Sequence, residues 1–407
     1  MNDPAPELPK SFWQSWLWPV LVAWMSLFTL GLIDNARGPV FPDILKDFAL
    51  TDTAGSFFFL IASLASLIHN TLFYRFLCET APKRLVGLYT LVMAAGALLI
   101  SHSGDYRWTL VACAILGIGF GGLGVGQNAA VQAAPAEHRQ RAMGLLHTMY
   151  GLSSFTAPLL ISTLASHGWR MSLALLSLPS VFVGLFVVFE GSRARHRKAR
   201  RALGEPPLVK KSPGEIYQSR NSKWAPWTAA VLISLLVVAE ISVSTRFTLL
   251  ARRDWGFSVD SAGQWLAGYF IAMTASRFML GIFKFPFSAR GLLYFALFLA
   301  VPFLFLGFMP LGFPNEIRLL ALVGFGFPIA MGYPLAMTRL AEIFGRETQR
   351  VTSKCLILQA AGAMIMHFLL GWGADSQGLL FVLGAVSIGA VLGALAAFWS
   401  LEKLVSQ

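Results

Sequence analysis

Five charged side chains stand inside stretches that are otherwise apolar: Asp34, Glu240, Arg246, Arg277 and Arg339, joined by two imidazoles, His147 and His367. An ion at the centre of a bilayer costs about 2.5–3.5 kcal/mol on insertion scales, so each needs a reason to be there. Asp34 is followed by Asn35 and, one turn on, by Arg37. It reads as a proton-binding carboxylate. The competing reading is a local Asp34–Arg37 pair that holds the chain ahead of Pro39 and Pro42. Glu240 has no cation three or four positions away. Its charge must therefore be met by a proton or by a partner across a cavity, which makes it the first candidate for carrying a proton. Arg277 can clamp a carboxylate or phosphate in bidentate fashion or bridge two helices, and both readings stay open. Arg339 falls near the end of its segment, where a snorkelling guanidinium is expected.

A second group is polar but uncharged. Gln127, Asn128 and His147 fall on two consecutive segments that run in opposite directions, so a common depth is expected for them. Gln359 is their counterpart in the second half of the chain. Amides and imidazoles offer both donors and acceptors, which suits a hydroxyl-rich ligand. The plainer alternative is hydrogen bonding between helices. Of the tryptophans, Trp24 and Trp265 are placed to stack on a sugar ring, and the others read as interface anchors.

These residues are carried by segments long enough to cross a hydrocarbon core of about 30 Å. The chain is 56% hydrophobic and only 13% charged, far from the composition of a soluble domain. Apolar segments are read near 13–41, 54–76, 85–101, 108–134, 142–165 and 170–190, then 225–251, 262–283, 290–311, 317–341, 352–373 and 378–401. The expectation is an all-α membrane protein with twelve transmembrane helices in two six-helix bundles. Residues 1–190 form the first, 191–224 a basic linker and 225–407 the second. The net charge of +12 is not a nucleic-acid signal. With both termini inside, Lys10, Arg75, Lys83, Arg139, the 193–201 cluster, Lys284, Arg350 and Lys403 gather on the cytoplasmic side, which is the positive-inside asymmetry. The partners it implies are membrane lipids with anionic headgroups. Cys78, Cys113 and Cys355 have neither metal nor disulfide spacing. No phosphate-binding glycine loop appears, so ATP is not expected as the energy source. The first ten residues are a short polar stretch, no cleavable signal is expected in them, and the first apolar segment is expected to serve as its own anchor.

The halves repeat. Thr51-Asp52-Thr53-Ala54-Gly55 returns 208 positions on as Val259-Asp260-Ser261-Ala262-Gly263. Each polar cluster opens a helix, and a cation (Arg75, Lys284) closes it. A loop over Pro135–Arg141, leading into a helix from Ala142, has its partner 211 positions on, matching Thr148 to Gln359 and Gly151 to Gly362. A long repeat in a membrane chain is the mark of a transporter built from two parallel bundles. Gly117/Gly121 and Gly122/Gly126 form small-residue faces that allow close packing and sliding.

With these residues in place, the chain resembles the major facilitator superfamily along its length, and within it the fucose:proton symporter family of sugar permeases. The carrying stretches are Gly31-Leu32-Ile33-Asp34-Asn35-Ala36-Arg37-Gly38-Pro39 with Pro42, and Gly124 to Pro158 with Asn128, Arg139, His147 and Tyr150-Gly151. Glu240 and Arg277-Phe278 complete them. It departs from the family pattern at Gly124 and Gly38, where acids are expected, and at Tyr74-Arg75-Phe76, where the superfamily's loop signature is eroded. Drug antiporters resemble it less, since Ala157-Pro158-Leu159-Leu160 replaces their glycine-proline pattern.

The resulting expectation is a monomeric secondary transporter of the bacterial inner membrane, neither an enzyme nor a cofactor binder. It takes up a small-molecule substrate, a sugar, together with protons. Glu240 and Asp34 carry the proton, and Asn128, Gln127, His147, Gln359 and Arg277 bind the solute. Export of an amphipathic or anionic metabolite is the alternative, with Arg277 as counter-charge.

Overall fold

The computed structural model describes residues 17–73, 80–132, 136–198, 224–283, 286–309, 312–344 and 348–406. Twelve long helices account for most of them. The first half contains α1 (Leu17–Asp47), α2 (Asp52–Leu72), α3 (Pro82–His102), α4 (Tyr106–Gln132), α5 (Ala136–Thr163) and α6 (Gly168–Lys198). The second contains α7 (Ala225–Leu249), α8 (Val259–Ile282), α9 (Ala289–Phe308), α10 (Asn315–Phe344), α11 (Thr348–Gln377) and α12 (Leu379–Ser406). Neighbouring helices run antiparallel, so one end of the molecule gathers the first residue of α1, the last of α6, the first of α7 and the last of α12. It is called the linker end below, and the opposite one the far end.

Ten of these helices are long and apolar enough to span a membrane. The two that are not, α5 and α8, pack on each other across the boundary between the bundles. The other boundary contacts are α2 with α11 and α1 with α7. These pairings repeat under exchange of the halves, as the sequence repeat requires.

Local chemistry sets the helix starts. Thr51 caps α2 by accepting from Ala54 N, and Ser258 caps α8 by accepting from Ser261 N. The expected closing cations Arg75 and Lys284 lie outside the described residues, as do Tyr74–Phe76, Lys10 and most of the linker. Two expectations are corrected. Helix α5 already begins at Ala136, so the stretch read as a loop over Pro135–Arg141 is helical from its second residue. Helix α6 runs to Lys198, a full two turns into the segment assigned to the linker. The α4 glycines pack within the bundle rather than at its boundary: a Cβ at Gly117 would meet Ala62 O of α2 at 2.0 Å, and one at Gly122 the Tyr89 ring of α3 at 2.4 Å. They allow helix contact but do not form the sliding surface.

Candidate functional site

At the far end the bundles are tied by polar contacts. The last turn of α7 widens into a π turn over Leu250–Asp254, a feature often found at functional positions. It carries Arg252 and Arg253. Arg252 grips Asp43 of α1 with Nη2–Oδ1 at 2.6 Å and Nη1–Oδ2 at 3.0 Å. Arg253 Nη1 reaches both oxygens of Asp52 at 2.9 and 2.7 Å. Asp375 of α11 accepts from the backbone N–H groups of Asp52 and Thr53, both at 2.8 Å. Ser162 of α5 donates to Asp260 of α8 at 3.0 Å. All four link one bundle to the other, and all four are at the same end.

Below this seal each bundle holds a carboxylate bound to an arginine. Asp34 pairs with Arg37 on α1 and also accepts from Tyr150 Oη of α5 at 2.9 Å. Glu240 of α7 pairs with Arg277 of α8, whose Nη2 stands 3.1 Å from each carboxylate oxygen. The pair is largely buried, with side-chain exposures of 18% and 29%. Glu240 is thus neutralised by an arginine from the next helix of its own bundle, not by a partner across the boundary between the bundles. Tyr150 lies within electrostatic reach of Glu240 as well as Asp34. Tyr150 entered the sequence reading only as part of the family pattern; its position three residues after His147 was the available signal.

The polar group is brought together only in part. His147 is exposed and lies within electrostatic reach of Arg277. Gln359 is half buried, and its Oε1 has no partner. Both stand eleven residues from the first residue of their helices, so their depth matches. Asn128 is exposed but lies four residues from the end of α4, about 10 Å nearer the linker end than His147 at 1.5 Å per residue. The common depth expected of the first-half group therefore does not hold. Gln127 is buried and turned into the first bundle, where its Nε2 donates to Ser26 Oγ at 3.0 Å. Trp24 is tied by its ring N–H to Ala142 O at 2.9 Å. Arg339, read as a snorkelling residue, is a salt-bridge hub: Glu402 takes its Nε and Nη2 at 2.7 and 2.9 Å, and Glu342 its Nη1 at 2.8 Å.

Twelve long helices in two pseudo-symmetric bundles, ten of them long and apolar enough to span a membrane, with salt bridges tying the bundles at one end, define a polytopic membrane protein. A family model described as the Major Facilitator Superfamily matches residues 23–353, and the chain belongs to that superfamily. Its fold is similar to that of a bacterial homolog of the human lysosomal transporter Spinster, solved in an inward-facing and unoccupied conformation. The TM-score is 0.71 at 15% identity, covering 97% of this chain and 98% of that one. The occupied inward-facing form of such a homolog gives 0.66 at 15% identity, over 95% of each chain. No curated protein matches the sequence.

Proposed function

We propose that the chain is a proton-coupled secondary transporter of a small polar solute, working by alternating access in the cytoplasmic membrane with termini and linker inside. The observation that supports this most is the pairing of one intramembrane carboxylate with one arginine in each bundle, Asp34–Arg37 and Glu240–Arg277. A carboxylate that takes up a proton loses its hold on the arginine, and one that gives it up regains it. Proton binding thereby changes contacts between helices, which is what couples an ion to a conformational change. Each proton entering down a potential of 100 mV contributes about 2.3 kcal/mol to solute accumulation.

On this reading the sealed far end is the external side, and the site communicates with the cytoplasm through the exposed face bearing His147 and Asn128. Those two groups with Gln359 supply donors and acceptors for hydroxyls, which supports a sugar as the solute. Transport of an anionic metabolite is the second reading. It is supported by one observation: among the described residues, Arg246 makes no direct salt bridge, while Arg37 pairs with Asp34 and Arg277 with Glu240. Uptake of labelled sugars and organic anions into proteoliposomes, with and without an imposed proton gradient, tests both. Accumulation that is indifferent to the gradient would remove the proton from the proposal.

A further inference from the structure

Arg246 is 1% exposed and among the largest fully buried side chains of the described residues; it makes no direct salt bridge among them, the carboxylate within its electrostatic reach being Asp52. Its Nη2 donates to Ser56 Oγ at 2.8 Å, and its Nη1 has no partner. The guanidinium carbon lies 4.3 Å from the ring centre of Phe41 and 4.9 Å from that of Phe59. Arg37 approaches the same Phe59 ring at 5.4 Å, with Nε and Nη1 buried and unpartnered although Nη2 holds Asp34. His367 of α11 stacks on Phe59 at 4.9 Å, is 4% exposed, and has an unpartnered Nδ1. It lies within electrostatic reach of both arginines. Four buried nitrogens on three cationic or titratable side chains thus converge on one ring without an acceptor.

Cation–π contact offsets part of the cost of a buried guanidinium, but unmet N–H groups remain expensive. The placement is also symmetric. Arg37 and Arg246 stand 209 positions apart, the same separation as Asp43 and Arg252 in the seal. Each arginine lies six residues, or about 9 Å along its helix, below that seal. The layer is lined by α1 and α2 from one bundle and by α7 and α11 from the other, so parting the bundles at the far end uncovers it.

We infer that Arg37, Arg246 and His367 form an oxyanion site between the bundles, taking the carboxylate or phosphate group of the transported solute. Two guanidiniums, one from each bundle, would be bridged by the anion, as the fork geometry of arginine favours. The inference rests on the transporter reading and narrows its substrate to anionic solutes. Hydroxyls on such a solute would fall to His147 and Gln359.

The test uses the purified full-length protein and three probes: inorganic phosphate, gluconate and, as the uncharged control, glucose, all at constant ionic strength. A ligand of the folded state at a hundred times its Kd should raise Tm by about 3 °C for a chain of this size. Phosphate or gluconate is expected to do so in a saturable manner, and glucose is not. R246K is expected to weaken the response about tenfold, and R246M to abolish it, while both variants remain monodisperse. No response from either anion, or a full response in folded R246M, overturns the site. Anion binding without proton-driven uptake keeps the site and removes the coupling proposal. Proton-driven uptake of glucose without anion binding does the reverse.

Discussion

Arg277 Nη2 stands 3.1 Å from both oxygens of Glu240, so one nitrogen on α8 balances the whole carboxylate on α7. The contact is longer and less directional than the paired grip of Arg252 on Asp43, whose two nitrogens meet one oxygen each. A pair held through a single nitrogen can be opened by one proton. Arg277 then keeps only its weaker approach to Ala330 O, with Nε at 3.4 Å.

Glu240→Gln is therefore expected to abolish accumulation of solute against its gradient while leaving counterflow exchange largely intact, since the amide imitates the protonated carboxyl. Removing one partner of a buried pair typically costs about 3–5 kcal/mol, and the partial exposure here makes the loss smaller. The double variant Glu240→Gln/Arg277→Gln should recover part of the Tm lost by Glu240→Gln. Proteoliposome uptake and thermal denaturation read the two effects. Wild-type accumulation by the single variant would exclude Glu240 from coupling and pass the role to Asp34.

The helices, their caps and the two-bundle repeat were legible because each is written locally, as apolar length, as Ser or Thr at a helix start, or as a constant offset. The Asp34–Arg37 pair was legible for the same reason, being one turn apart. Gln127 and Asn128 show where legibility stops. Adjacent residues on a helix point about 100° apart, and the sequence does not fix the rotation that buries Gln127 against Ser26 and exposes Asn128. The seal was hidden for another reason. Arg252, Arg253 and Asp375 look like ordinary boundary charges until a π turn brings the arginines to Asp43 and Asp52, 209 and 201 positions away, and α11 brings Asp375 to Asp52 across 323 positions. Arg246 was visible as an intramembrane charge, but its aromatic neighbours come from α1 and α2, which no local pattern connects to α7.

Orientation has its own test. A cysteine at Leu208 in the basic linker should resist a membrane-impermeant maleimide in intact cells, and one at Glu316, at the far end, should react. Cys113 and Cys355 are buried, so replacing Cys78 with serine clears the background. Labelling of Leu208→Cys from outside would invert the proposed topology and make the sealed end cytoplasmic.

Gly371 of α11 sits where α2 crosses. A Cβ there would meet Ser56 Oγ at 2.1 Å and the backbone oxygen of Asp52 at 2.6 Å. The hydroxyl can rotate away; the backbone oxygen belongs to the first turn of α2 and cannot. Gly371→Val should therefore push α2 and α11 apart, costing about 1–3 kcal/mol as overpacking does. Because the contact exists only while the far end is closed, the penalty falls on that state. Transport should slow, and an engineered cysteine at Lys46 should become more reactive. Unchanged uptake and reactivity would show that the interface yields without opening.

The seal itself gives the sharpest expectation. Arg252 makes two hydrogen bonds to Asp43, and both charges are more than half shielded from water, with side-chain exposures of 19% and 33%. Hydrogen bonds to charged groups contribute about 1.5–3 kcal/mol each at most, and partial exposure lowers that figure. Arg252→Ala removes both, and a change of 1.4 kcal/mol in the closed state moves the open-to-closed ratio tenfold. Spin labels at Lys46→Cys on the first bundle and Glu316→Cys on the second report the separation of the far ends. In the parent protein a single short distance should dominate. In Arg252→Ala a longer population should grow, and in the charge-swapped pair Asp43→Arg/Arg252→Asp it should shrink again, because the swap restores the attraction with its sign reversed. If Arg252→Ala leaves the distance distribution unchanged, the remaining contacts of Arg253, Asp375 and Ser162 hold the seal alone, and the Asp43–Arg252 pair serves only to fix the π turn.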